Sequence, residues 1–207
     1  MVRFLYLHGF ASGPASKKAA MFRSRFEEAG IPLQVPDLAD GDFENLTITS
    51  QLRVVEREAE GQAARLIGSS MGGYLAALYA ARHPEVERMA LLAPAFDFVR
   101  RWPVTFGAER FQEWQRTGST QVFHYAEQTE RRLSFELYRD AERYEPYPEV
   151  AAPCMIFHGF RDDVVPADCS REFADKNPGT DLRLLDDGHE LLLHVEDICS
   201  RALQFLC

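Results

Sequence analysis

Short apolar runs alternate along this chain with longer segments whose apolar residues recur at helical spacing. No other feature of the sequence constrains the fold as strongly. Val2–Leu7, Leu33–Val35, Ala64–Gly68, Met89–Ala93, Cys154–His158 and Asp181–Leu185 read as strands. Ser16–Glu28, Thr47–Glu60, Gly72–Arg82, Ala167–Lys176 and Glu190–Gln204 read as helices, with Gly30 and His83-Pro84 as stop signals. Strand followed by helix, repeated, requires right-handed crossovers and hence a mostly parallel sheet with helices on both faces. Strands buried on both sides explain why the runs are apolar throughout rather than alternating. The expectation is an α/β fold with a six-stranded sheet in one domain spanning residues 1–207. A chain of 207 residues is long enough to fold without a metal or disulfide framework.

The rhythm fails between Ala95 and Pro148. Residues 96–147 contain no strand of core type, yet they hold 12 of the 24 aromatic residues. Thr120–Tyr125 and Arg131–Leu137 can pair as a hairpin across 126–130, and helices are expected over Ala108–Arg116 and Phe135–Arg143. This segment reads as an insertion lying over the carboxyl ends of the strands, where open parallel sheets place their sites.

Between one strand and the helix after it lies Gly68-Ser69-Ser70-Met71-Gly72, a G-x-S-x-G turn centred on Ser70. A turn this tight needs glycines where side chains would meet neighbouring backbone, and it presents the serine hydroxyl at a helix N-terminus. Serine is a weak nucleophile unless a base takes its proton and an acid orients that base. His189, in the loop after the last strand, is the expected base; His158 and His194 are read as structural. In His158-Gly159-Phe160-Arg161-Asp162-Asp163 the preferred acid is Asp162, with Asp163 as the alternative. An oxyanion needs two fixed donors, expected from the backbone N–H groups of Met71 and Phe10. His8 is expected to brace the loop of Phe10 rather than move protons. Phe96, Phe98, Trp102 and Phe106 are the expected wall of an acyl pocket. Lys17-Lys18 reads as a solvated helix face, with contact to an anionic substrate as the alternative.

The formal charge of −9 argues against nucleic acid, because phosphate binding needs a surplus of Lys and Arg. Residues 96–147 carry eight basic and nine acidic residues, so the acidity belongs mostly to the scaffold. The uncharged stretch Leu66–Ala81 is too short for a membrane helix and is broken by glycines. The N-terminus lacks the pattern of a signal peptide. Cys154, Cys169, Cys199 and Cys207 show no metal or disulfide spacing. These features together predict a cytoplasmic protein with reduced thiols and no metal. A small-molecule ester is the expected partner, and a homo-oligomer is left open.

His8-Gly9-Phe10, Gly68-x-Ser70-x-Gly72, Asp162 and His189 follow the order and spacing of the α/β-hydrolase superfamily, which the chain resembles over nearly its whole length outside the 96–147 segment. Leu7-His8-Gly9-Phe10-Ala11-Ser12-Gly13-Pro14 with Ser16-Lys17-Lys18 is similar to the small bacterial YqiA/YcfP-type esterases. The chain departs from the full fold by lacking the first two antiparallel strands. The resemblance implies a cofactor-free hydrolase with a cap over Ala95–Pro148. The expected reaction is hydrolysis of a carboxylic ester with a small or medium apolar or aryl acyl group, through an acyl-enzyme. A thioesterase, amidase or acyltransferase on the same residues, and a non-catalytic binding protein, are the alternatives.

Overall fold

A computed structural model describes residues 2–207. Its elements run β1 (Arg3–Leu7), α1 (Lys17–Glu28), β2 (Leu33–Gln34), α2 (Ile48–Ala59), β3 (Ala64–Ser69), α3 (Met71–Ala80), β4 (Val86–Leu92), α4 (Phe98–Thr105), α5 (Ala108–Thr117), β5 (Ser119–His124), β6 (Thr129–Ser134), α6 (Glu136–Ala141), β7 (Cys154–Gly159), α7 (Ala167–Lys176), β8 (Thr180–Leu185) and α8 (Val195–Leu206). The main sheet has the order β2-β1-β3-β4-β7-β8, and every pair in it is parallel. Helices cover both of its faces, as in the α/β-hydrolase fold.

The pleat explains the uninterrupted apolar runs. Leu5 and Leu7, Leu66, Met89 and Leu91, and Cys154 and Ile156 face one core, shared with α2, α3 and α7. Their neighbours Tyr6, Ile67, Ala90 and Leu92, and Met155 and Phe157 face the opposite core, closed by α1 and α8. Side chains alternate across a strand, so a sheet covered on both sides must be apolar at every position. All ten residues of α3 are buried, which accounts for its alanine-rich composition. Local chemistry sets the helix starts: Ser16 caps α1, and Thr47 and Ser50 form a reciprocal capping box on α2.

Several boundaries differ from the sequence reading. β4 begins at Val86 rather than Met89, extended by an exposed Glu87 that an apolar-run criterion skips. The hairpin pairs Ser119–His124 with Thr129–Ser134, so its second strand ends before Leu137 and Phe135 leads into α6. The closing helix starts at Val195, not Glu190, and residues 189–194 stay outside it.

The 96–147 segment also contains α4, which the sequence reading did not place. Pro103 sits inside α4, where it removes the N–H that would bond the carbonyl of Val99. The Tyr138 hydroxyl donates to that carbonyl at 3.2 Å. Around this joint Trp102, Phe106, Phe111, Trp114, Phe135 and Tyr138 pack ring against ring, with centroid separations from 4.8 Å (Phe111–Tyr138) to 6.0 Å (Phe111–Trp114). Polar ties bind the segment to the sheet domain. The buried Asp140 accepts from the Thr49 N–H and hydroxyl, both at 2.7 Å, and so caps α2 from outside. The Tyr74 hydroxyl donates to the Glu145 carbonyl, and the Tyr125 N–H donates to the Ala11 carbonyl. Among the described residues no helix is long and apolar enough to cross a membrane.

Candidate active site

Ser70 occupies the turn between β3 and α3 with φ 53° and ψ −117°, a conformation costing a non-glycine residue about 1–3 kcal/mol. The surroundings hold it there. Its N–H donates to Leu92 at 2.8 Å, and its carbonyl accepts from Gly73, Tyr74 and Ala95. A Cβ at Gly72 would lie 2.1 Å from the Leu7 carbonyl oxygen, and one at Gly68 would lie 2.4 Å from the Gly72 oxygen. Only glycine fits either position, because β1, β3 and α3 converge there.

Ser70, His189 and Asp162 are brought together although 119 and 27 residues separate the bonded partners. Ser70 Oγ lies 3.0 Å from His189 Nε2, and His189 Nδ1 lies 2.7 Å from Asp162 Oδ2. A carboxylate only accepts, so Nδ1 carries the proton and Nε2 is free to accept from the serine hydroxyl. Asp163 is exposed, whereas the Asp162 carboxylate is fully buried. Backbone N–H groups of Val164 and Val165 donate to Asp162 Oδ1 at 2.9 and 2.8 Å. Burial alone would raise the Asp162 pKa, but hydrogen bonds from His158, His189 and Val165 outweigh it and hold the carboxyl well below the usual range.

Two supporting residues escaped the sequence reading as site components. His158, wholly buried at the end of β7, presents Nε2 to the Val165 carbonyl at 2.8 Å and to Asp162 Oδ2 at 3.1 Å, while Nδ1 meets the Ser170 hydroxyl. It holds the acid from behind. Asp187 is buried and accepts from the Gly188 and Leu193 N–H groups and from His194 Nδ1 at 3.1 Å. That carboxylate shapes the loop carrying His189. The sequence signal for either was a polar residue near a candidate, at or just after the carboxyl end of a strand. The acid and base loops are also joined directly, through Arg161 N–H to the Asp187 carbonyl and the Arg161–Asp186 ion pair at 2.8 Å.

The loop after β1 passes against the serine: a Cβ on Gly9 would sit 3.4 Å from Ser70 Cβ. Among the described residues neither the Phe10 nor the Met71 backbone N–H has a hydrogen-bond acceptor, and both residues line the same cavity as Ser70. His8 accepts from the Leu38 N–H through Nε2 at 3.2 Å, and its other nitrogen meets the Gly9 carbonyl. Neither bond involves Ser70, and burial pushes its pKa down.

The cavity measures about 810 Å³. Met71, Phe98, Trp102 and Val165 give it apolar walls, and its exposed lining mixes Tyr125, Val164 and Leu192 with Lys17, Thr105 and Glu190. Phe98 and Trp102 lie where the sequence reading expected them. Phe96 and Phe106 do not line the cavity. Phe96 is fully buried and stacks on Phe173 at 4.3 Å, and Phe106 stacks on Trp114 at 5.2 Å. Helical spacing puts Phe98 and Trp102 on one face of α4, while Phe96 precedes the helix and Phe106 follows it. Lys18 is not a solvated residue: its side chain is 11% exposed and pairs with Glu190 at 3.4 Å. Burial lowers its pKa, with Glu190 acting in the opposite sense. No cluster of three or more His, Cys, Asp or Glu placed to hold a metal occurs among the described residues.

The profile of an uncharacterised protein family, UPF0227, matches residues 3–207. The bovine (Bos taurus) palmitoyl-protein thioesterase ABHD10, a mitochondrial protein by its name, is 28% identical over 171 residues. That similarity covers 78% of this chain and 54% of the bovine protein, so the chain spans about half the length of this relative. Among solved structures, mouse α/β-hydrolase domain-containing protein 10 superposes with a TM-score of 0.81 at 20% identity, covering 97% of this chain and 88% of the other. A hydrolase structure from Agrobacterium vitis S4 gives the same TM-score and identity over 100% and 88%. At such identities the superpositions establish a shared fold. By its sequence profile this chain belongs to the UPF0227 family, and its fold is that of the α/β-hydrolases.

Proposed function

We propose that the protein is a serine hydrolase that cleaves a carboxylic ester of a small or medium apolar or aryl acyl group. The observation carrying this reading is the bonded series Ser70 Oγ, His189 Nε2, His189 Nδ1, Asp162 Oδ2 at 3.0 and 2.7 Å beside an apolar cavity. Ser70 Oγ attacks the ester carbonyl while His189 Nε2 takes its proton. Asp162 stabilises the imidazolium so formed and fixes its orientation. The Phe10 and Met71 amides, which have no other acceptor among the described residues, donate to the oxyanion of the tetrahedral intermediate. Collapse of the intermediate expels the alcohol, which leaves with the proton held by His189. Water, deprotonated by the same Nε2, then releases the acid from Ser70. The 96–147 segment serves as the cap, with Phe98 and Trp102 as its acyl-binding wall.

A thioester is the second reading, favoured by the name of the bovine relative, a palmitoyl-protein thioesterase. The same residues serve both reactions, and oxygen and thioesters of one acyl group, compared by kcat/KM, separate them. The cytoplasmic reading rests on four free cysteines, three of them buried. A fluorophosphonate should label Ser70, and Ser70→Ala should lower ester turnover by about 10³-fold or more with an unchanged melting transition. Labelling at another residue, or turnover retained by Ser70→Ala, would overturn the mechanism.

A further inference from the structure

The side chains that line the cavity beside Ser70 carry a net charge opposite in sign to that of the whole protein. The chain carries −9, yet Lys17, Lys18 and Arg101 line the cavity, against a single lining carboxylate, Glu190. Glu190 is occupied by Lys18. Lys17 and Arg101 have no carboxylate partner among the described residues. Arg101 donates instead to two carbonyls, Val164 at 2.9 Å and Phe96 at 3.0 Å, and these orient the guanidinium without neutralising it. Among the described residues most other arginines pair with Asp or Glu; Arg23, Arg53, Arg88 and Arg110 do not, and Arg101 is set apart from these four by lining the cavity. Lys17 is exposed and Arg101 half-buried beside the apolar wall, so a ligand anion is attracted more strongly at the guanidinium than at an open surface, with Lys17 adding its charge from the rim.

We infer that the natural substrate is an ester that also carries a carboxylate, read by Lys17 at the start of α1 and by Arg101 on α4. This names the substrate class of the site proposed above and rests on that reading. The negative field of the remaining surface repels anions, so the cavity is the part of the molecule to which such a substrate is drawn. Lys17 belongs to the segment that follows the Phe10 loop, and Arg101 to the cap. The carboxylate can therefore belong to the acyl part or to the alcohol part of the ester.

Two substrate pairs test this. Mono-4-nitrophenyl adipate is compared with its neutral methyl ester, which places the charge on the acyl side. In the second pair 4-acetoxybenzoate is compared with 4-acetoxybenzamide, which places it on the leaving group. The ratio of kcat/KM, anionic over neutral, should be about tenfold or more in at least one pair and should fall with added salt. Lys17→Gln, Arg101→Gln and the double variant should bring that ratio toward one. Because each variant is normalised by its own neutral ester, a loosened acid loop in Arg101→Gln lowers both rates and leaves the ratio interpretable. Ratios near or below one in both pairs, or a preference that survives in the double variant, would overturn the inference while leaving ester hydrolysis intact. Failure to cleave any of the four esters would instead remove the underlying reading, and this inference with it.

Discussion

The two halves of the site are held by different physics. On the sheet side, Ser70, Asp162 and His189 sit in loops whose backbone groups are bonded one by one: Ser70 to Leu92, Asp162 to Val164 and Val165, Asp187 to Leu193. On the side of the 96–147 segment, Phe98 and Trp102 are placed mainly by aromatic packing, with fewer directed bonds to α4, from Tyr138 to the Val99 carbonyl and from Arg101 to the Val164 and Phe96 carbonyls. Hydrogen bonds fix a geometry to tenths of an ångström, which attack at a carbonyl requires. Ring packing tolerates small shifts, which suits a wall accommodating acyl groups of different shape.

The contrast is broken most severely at Gly72. Gly72→Ala forces a Cβ to within 2.1 Å of the Leu7 oxygen and should destabilise the fold by more than about 4 kcal/mol, read from denaturant midpoints. A loss below 1 kcal/mol would mean that the elbow is not the rigid half. Asp162 gives a smaller effect with a definite sign. Its folded pKa lies below the ordinary 3.8, so the stability it contributes is fully present above that value and is lost as the pH falls from there through the folded pKa. Asp162→Asn should lower stability at neutral pH by about 1.5–3 kcal/mol and flatten the acid limb of a stability–pH profile. An acid limb as steep as that of the wild type would locate the effect in another carboxylate. Tyr138→Phe should cost only about 1 kcal/mol, since it removes one bond to the carbonyl that Pro103 leaves unpaired. If ring packing positions the wall, the KM for aryl esters in this variant will stay within about twofold.

The same division governs what could be read from sequence. The six sheet strands, Ser70, Asp162 and His189 were legible because local steric rules tie them to recognisable signals. The glycines of Gly68-x-Ser70-x-Gly72 mark converging backbones, and apolar runs mark doubly buried strands. The sites of Phe96 and Phe106 were not legible. Aromatic content is equally compatible with a cavity wall and with a core, and only the phase of α4 separates Phe98 and Trp102 from their neighbours. His158 and Asp187 were hidden for another reason. Each acts on a residue only four to seven positions along the chain, Asp162 in one case and Leu193 and His194 in the other, but across a loop whose path periodicity does not give.

The tie between the Tyr125 N–H and the Ala11 carbonyl has a consequence for how this architecture can change. The tip of the β5–β6 hairpin holds the loop that presents Phe10, and Ala126 lies where a Cβ on Gly13 would be 3.3 Å away. Phe10 in turn packs its ring on Trp102 at 5.6 Å. The segment proposed to set which acyl groups enter is thus fastened to the segment proposed to stabilise the oxyanion. Selectivity and rate are not separable modules in such a chain. A chimera receiving a foreign cap would have to receive residues 9–13 with it, and drift in the hairpin tip would be constrained by chemistry taking place a strand away.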